Sequence, residues 1–308
     1  MSTYTKNSLS QISKALAISL SLSLSLPVLA ETPSPASKQL AARSAEFNQE
    51  LIKVNEQVYT AVGYGVSPIS MIIGDDGIVI IDTGISPEES KKVRQLFATI
   101  TPKPVKAIIF THGHGDHTTG AIAFKDNDDV QVWAREGFGH EGNFANDAGL
   151  TIQRKRGAAQ GGFLLSPDER INNGIAKAYW PSKGGDAFGA DTKVKITNTF
   201  NTQIHVLKVA GLELSLVAAP GETDDEMFIW YPQTQTLFAG DNFYKSWPNL
   251  YPIRGAAYRD VRLWAKSVDK MVKYKPTYLV GGHTRPISGQ AEVIDVLTNY
   301  RDAIQFLF

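Results

Sequence analysis

Short apolar runs broken by turn-forming residues dominate the early part of the chain. Runs at 58–62 and 69–73 precede Asp75-Asp76-Gly77, a turn, which leads into Ile78-Val79-Ile80-Ile81. Four consecutive aliphatic residues without alternation predict a strand buried on both faces. A β-hairpin is therefore expected to end at Asp82-Thr83-Gly84. Ser86-Pro87-Glu88-Glu89 then supplies an N-cap serine, proline at the first helical position and glutamate at the third, so a helix should run to about Ile100. A strand is expected at 105–110, a helix at 118–124 and a short strand at 130–133. From 135 to about 202 the chain is rich in Gly, Asn, Asp and Lys with weak periodicity, and reads as irregular, a candidate lid.

Apolar order returns at 204–209, 212–218, 227–230 and 236–238, read as successive antiparallel strands. Helical spacing marks 261–272 through Val261, Leu263, Trp264, Val268, Met271 and Val272. A strand at 278–280 runs into Gly281-Gly282-His283. From Gln290, the residues Val293, Val296, Leu297, Tyr300, Ile304 and Leu307 share one helical face with no stop signal before Phe308. Such a stripe predicts cover from a following segment or a second subunit, hence a homodimer through this helix.

At the other end, Lys6 and Lys14 precede an apolar, serine-rich run over 16–29 that finishes at Val28-Leu29-Ala30, the pattern of a secretory signal peptide. The run is too short and too polar for a span, and no later segment approaches the roughly 20 apolar residues required, so stable membrane insertion is not expected. The reading is a leader over 1–30, a Thr-, Pro- and Ser-containing linker over 31–40, a folded domain over 41–288 and a terminal helix over 289–308. With no cysteine the exported chain has no disulfide to use, and its stability must come from its core and from metal; a bacterial periplasm fits.

Composition narrows the partners. A chain of 308 residues with 43% hydrophobic and 20% charged residues has material for one large core, which excludes disorder. Lys plus Arg equals Asp plus Glu at 31 each, so no basic surplus exists to follow a phosphate backbone and nucleic acid is excluded as a partner.

The candidate chemistry lies in His112-Gly113-His114-Gly115-Asp116-His117, directly after the 105–110 strand, where a loop can hold ligands on a rigid support. Imidazole nitrogens and carboxylate oxygens are the usual zinc donors. His112 and His114, two residues apart in an extended loop, can reach one ion, and Asp116 and His117 can turn to a second. Half of the six histidines fall in this short segment, which makes a merely solvated loop improbable.

Thr111-His112-Gly113-His114-Gly115-Asp116-His117 resembles the signature of the metallo-β-lactamase superfamily, and Asp82-Thr83-Gly84 resembles its upstream strand-end motif. The resemblance implies an α+β fold, an αββα sandwich of two mixed β-sheets flanked by helices. It also implies a histidine after a Pro-Gly pair, a bridging aspartate and a final histidine. This chain departs at the first of these: Glu222 follows Pro220-Gly221, while Asp241 and His283 stand where the bridge and last ligand belong. A glutamate in a Pro-Gly-Glu-Thr loop is similar to the alkyl sulfatase branch. So are Ala239-Gly240-Asp241-Asn242, Pro248-Asn249-Leu250-Tyr251, Ile253-Arg254-Gly255, Gly282-His283-Thr284-Arg285-Pro286 and the closing Tyr300-Arg301-Asp302-Ala303-Ile304-Gln305.

That resemblance implies two Zn²⁺ per chain, one held by His112, His114 and Glu222, the other by Asp116, His117 and His283, with Asp241 between them. It implies hydrolysis of a small alkyl sulfate ester by metal-bound hydroxide, and a dimerisation region following the last helix. Three carboxylates almost neutralise two dications, so a separate cation is needed for an anionic ester; Arg254 is the candidate, since guanidinium matches tetrahedral oxyanions. Asp116 and Arg254 are the candidate catalytic residues, and Asn249 and Tyr251 accompany Arg254 in binding. Phe243, Tyr244, Trp247, Tyr179 and Trp180 can wall an apolar slot. Glu226 competes with Glu222 for the metal role, Asp224 and Asp225 are read as solvated, and His140 and His205 as structural. The rival readings are a hydrolase of another ester or a lactam, and a non-catalytic zinc-binding domain.

Overall fold

The computed structural model describes residues 33–140, 152–166, 169–177 and 194–307. The segment expected to be a leader and the aromatic pair Tyr179 and Trp180 lie outside them. The main compact unit begins at Gln39. The expected linker is helical from Pro35, as α1 (Pro35–Arg43), and buries none of its side chains.

Seven strands form the first sheet in chain order: β1 (Glu50–Lys53), β2 (Val58–Val62), β3 (Ile69–Ile73), β4 (Ile78–Ile81), β5 (Val105–Ile109), β6 (Gln131–Arg135) and β7 (Asn198–Phe200). Pairing is antiparallel up to β4 and parallel from β4 to β7. The second sheet, in the order β13-β12-β11-β10-β9-β8, contains β8 (Ile204–Val209), β9 (Leu212–Ala218), β10 (Met227–Tyr231), β11 (Thr236–Phe238), β12 (Tyr278–Val280) and β13 (Ile287–Ser288). Among the described residues its one parallel pair is β11 with β12, so both sheets are mixed.

The two-residue period of a strand explains the layering. On β4, Val79 and Ile81 enter the core between the sheets with Leu214, Leu216 and Ile229. Ile78 and Ile80 point the other way, under α2 (Pro87–Ile100), against Val93 and Phe97. Phe228 of β10 likewise leaves the central core for the outer one beneath α5 (Val261–Lys273) and α6 (Gln290–Gln305), where Trp264, Val268, Val293 and Leu297 pack. A strand with both faces covered reads as an unbroken aliphatic run, as β4 does. The result is the expected αββα sandwich.

Several local expectations change. Ser86 stands at the N-cap of α2 but its side chain makes no cap bond; Ser90 Oγ instead donates to the carbonyls of Ser86, at 2.7 Å, and Thr83, at 2.5 Å. The helix expected at 118–124 is a single turn, α3 (Gly115–Thr118), followed by a 3-10 segment, Thr119–Ala123. The stretch read as irregular contains β7 and α4 (Gln153–Gln160). Most of the stripe on α6 is already covered within this chain: Val293, Leu297, Tyr300 and Ile304 are buried against α5 and the second sheet, while Leu307 at its end is 52% exposed. Among the described residues, no helix is long and apolar enough to cross a membrane.

Candidate metal centre

Chemistry-bearing residues gather where strands of both sheets end. Asp82 follows β4, the histidine cluster follows β5, Glu222 follows β9, Asp241 follows β11 and His283 follows β12. Two glycines in these loops are dictated by close approach. A Cβ at Gly221 would fall 1.7 Å from Asn242 Oδ1, and one at Gly282 would fall 1.9 Å from Asp241 Oδ1. Only glycine lets the chain pass these points and deliver Glu222 and His283.

His112, His114, Glu222 and Asp241 form one group of donors and Asp116, His117 and His283 a second, with the donor atoms of each group within 4.8 Å of one another. His112 Nε2 lies 2.9 Å from His114 Nδ1, which is 3.5 Å from Glu222 Oε2. Asp241 joins the groups: its Oδ2 is 3.8 Å from His112 Nε2 and 3.0 Å from His283 Nε2, and its Oδ1 is 3.2 Å from His117 Nε2. Asp116 Oδ2 lies 3.7 Å from His117 Nε2 and 3.8 Å from His283 Nε2. All seven residues named from the sequence are thus brought together.

Their supports come from neighbouring loops. Asp82, in a left-handed backbone conformation at φ 53°, accepts from the Thr111 amide and hydroxyl, both at 2.8 Å, and meets His117 Nδ1 at 2.7 Å. His283 Nδ1 faces the Val66 carbonyl at 3.1 Å, and Ser67 Oγ lies 3.1 Å from Asp116 Oδ2. Such partners fix the ring orientation of a ligating histidine and raise its basicity.

Burial lowers the basicity of His112, and the neighbouring His117 and His114 lower it further, which leaves a neutral imidazole ready to donate. Burial also opposes charge on His117, but Asp241, Asp82 and Asp116 outweigh it and hold that imidazole well above its ordinary value. Asp241 is likewise penalised by burial, yet His283 and His117 keep its carboxyl well below the usual range. Desolvation raises Glu222 despite the opposing Arg259 guanidinium.

The donor set fits a metal. Four imidazoles and three carboxylates converge in a largely buried space, and Glu222 Oε2 and Asp241 Oδ1 are buried without a hydrogen-bond donor. A buried carboxylate oxygen left unpaired is costly, and a cation between these two would satisfy both. Glu226, the sequence rival of Glu222, belongs to neither group. Its carboxylate is fully buried and accepts from the backbone amides of Glu222, at 3.0 Å, and Asn242, at 2.8 Å, so it ties two ligand loops together.

The centre opens into a cleft of about 1310 Å³ whose lining includes Asp116, Glu222, Asp241 and His283. Asn249, Tyr251 and Arg254 line the same cleft, as do Tyr244 and Trp247; Phe243 is packed in the outer core instead. Tyr251 is 71% exposed. Gln153, Gly157 and Ala158 of α4 add a wall, and Gln153 Nε2 donates to the Gly255 carbonyl at 2.6 Å, so part of the stretch read as a lid borders the cleft. Asp225 is buried rather than solvated, accepting from the Gly139 amide at 3.0 Å, whereas Asp224 is exposed. His205 packs against the rings of Trp133 and Phe200, and His140 is exposed and belongs to neither group.

Sequence reasoning missed Arg259. Its buried guanidinium pairs with Glu222 and donates to the Asn249 carbonyl at 2.6 Å. A lone arginine carries no spacing signal, and its partner is 37 positions away.

Comparison with known proteins agrees with this architecture. A linear primary-alkylsulfatase of a Pseudomonas sp. is 30% identical over 247 residues, covering 77% of this chain and 45% of that protein. An alkyl/aryl-sulfatase of Saccharomyces cerevisiae is 30% identical over 291 residues, covering 90% of this chain and 44% of its own length. The chain therefore spans less than half the length of these relatives. The solved structure of a stereoselective inverting sec-alkylsulfatase from a Pseudomonas sp. superposes with a TM-score of 0.73 at 26% identity, over 87% of this chain and 44% of that one. A solved DIM-1 metallo-β-lactamase, at 15% identity and a TM-score of 0.57, shares the fold. The profile of the Metallo-beta-lactamase superfamily matches residues 62–283, a span that takes in every candidate ligand, and the chain belongs to that superfamily.

Proposed function

We propose that the chain is a dinuclear zinc hydrolase of alkyl sulfate esters. The observation that carries this reading is that the donor cluster and the Asn249, Tyr251 and Arg254 wall share one cleft. His112, His114 and Glu222 would hold one ion, Asp116, His117 and His283 the other, with Asp241 between them. Bound there, zinc would supply Lewis acidity and lower the pKa of water toward about 7.

The remaining work falls to the side chains. Arg254 presents a planar fork that suits the oxygens of a sulfate group, and Asn249 and Tyr251 add an amide and a phenol from the same segment. Asp116 reaches the cleft beside His283 and orients the attacking water as an acceptor. Val66, Ile85, Ile175 and Leu250 offer apolar surface for an alkyl group. Glu222, in place of a neutral imidazole, lowers the net positive charge of the centre, so selection of the anionic ester falls on Arg254. The leader pattern over 1–30 supports export, with a bacterial periplasm as the compartment.

Relatives named as alkylsulfatases support the substrate class. The test is turnover of dodecyl sulfate beside nitrocefin by the zinc-loaded chain. Sulfate release with nitrocefin left intact is expected. Nitrocefin hydrolysis without sulfate release would replace this reading with a lactam hydrolase, and turnover of neither would favour a non-catalytic zinc domain.

A further inference from the structure

Arg259 lies just beyond the cleft segment, yet its side chain is 1% exposed against a Glu222 side chain 4% exposed. Its Nη1 serves two acceptors, Glu222 Oε1 and the Asn249 carbonyl. The amide of the same Asn249 donates to the Tyr244 hydroxyl at 2.5 Å, and the Tyr244 ring stands edge-on to His283 with centroids 5.4 Å apart. The Asn249 peptide is therefore held on both sides by groups that also touch the two donor clusters. With Oε1 engaged by Arg259, Oε2 is the oxygen of Glu222 that faces His114.

We propose that Arg259 is a positioning residue that couples metal binding at Glu222 to the shape of the cleft wall. It fixes the Glu222 carboxylate so that a single oxygen is presented to the ion, and through the Asn249 carbonyl it sets the start of the segment carrying Tyr251 and Arg254. The inference rests on Glu222 being a ligand. Groups that orient a ligand tune affinity about 10- to 100-fold. Lysine keeps the charge but carries it on a flexible stem one atom shorter than the rigid guanidinium, so its ammonium does not reach the Nη1 position that serves both acceptors.

The experiment compares full-length Arg259→Lys, Arg259→Met and Glu222→Ala with the wild type. It measures zinc affinity against a competing chelator, the visible spectrum of the cobalt-substituted protein, and kcat and KM for dodecyl sulfate. Arg259→Met should weaken zinc binding at one site by about 10- to 100-fold. Arg259→Lys should recover part of that affinity while its cobalt spectrum stays shifted and its KM stays raised. If Arg259→Met does not fold, Arg259→Lys decides the matter alone. A lysine variant with wild-type affinity, spectrum and KM, even with a lower melting temperature, would reduce Arg259 to a structural role and overturn the inference. Glu222→Ala retaining two ions would instead remove the reading on which it rests.

Discussion

His117 Nδ1 and Asp82 Oδ2 meet at 2.7 Å, both buried, and the same Asp82 holds the Thr111 backbone at the start of the histidine loop. One carboxylate therefore fixes both the ring and the loop. Asp82→Ala is expected to leave about one tightly bound ion per chain, with affinity at the affected site reduced about 10- to 100-fold. Elemental analysis after dialysis checks this, and full retention of both ions would refute it.

The pH dependence of the metal-free chain follows from the shifted groups. His117 and His283 are raised above their ordinary values, because carboxylate partners outweigh burial. Their contribution to stability is complete below the ordinary histidine value and is lost as pH rises through the raised one. Asp116 and Asp241 are depressed, since histidine partners outweigh burial, so theirs is present above the ordinary carboxylate range and lost as pH falls through the depressed values. Zinc displaces the imidazole protons. The gain in melting temperature on adding zinc should therefore grow as pH rises through the histidine range. Paired melts of both forms across that range test this, and a gain independent of pH contradicts it.

Arg254 should act on substrate and not on metal. Arg254→Lys is expected to raise KM for dodecyl sulfate by roughly 10-fold or more, as loss of a charge-assisted hydrogen bond of about 1.5–3 kcal/mol implies. Metal content should stay at the wild-type level. Steady-state kinetics with elemental analysis separates the two effects.

Glu226 makes a contrasting prediction. Glu226→Gln turns an amide group toward a backbone N–H that now finds a carboxylate oxygen, a buried mismatch costing about 1–3 kcal/mol. Stability should fall by that amount in denaturant unfolding of the zinc-loaded chain while both ions are retained. Loss of an ion would return Glu226 to the ligand set.

The parts of this fold that were legible have strong periods. β4 stands out because both its faces are covered, and α5 and α6 because each carries a buried stripe. β1, β7 and β13 escape notice because two to four residues carry no period, and α4, with the sequence QRKRGAAQ, has no apolar face to betray it. The histidine cluster was legible through its local spacing. Glu222, Asp241 and His283 needed resemblance, since they converge only through the ends of separate strands. Arg259 and the buried role of Asp225 depend wholly on tertiary packing, so nothing in their neighbourhoods announces them.

The most direct test of a dinuclear centre completed by Glu222 is elemental analysis of wild type and Glu222→Ala beside sulfate release from dodecyl sulfate. Two zinc ions per chain in the wild type, falling to about one in Glu222→Ala with sulfate release abolished, is the expected result. Unchanged metal content in Glu222→Ala, with sulfate still released, would contradict it.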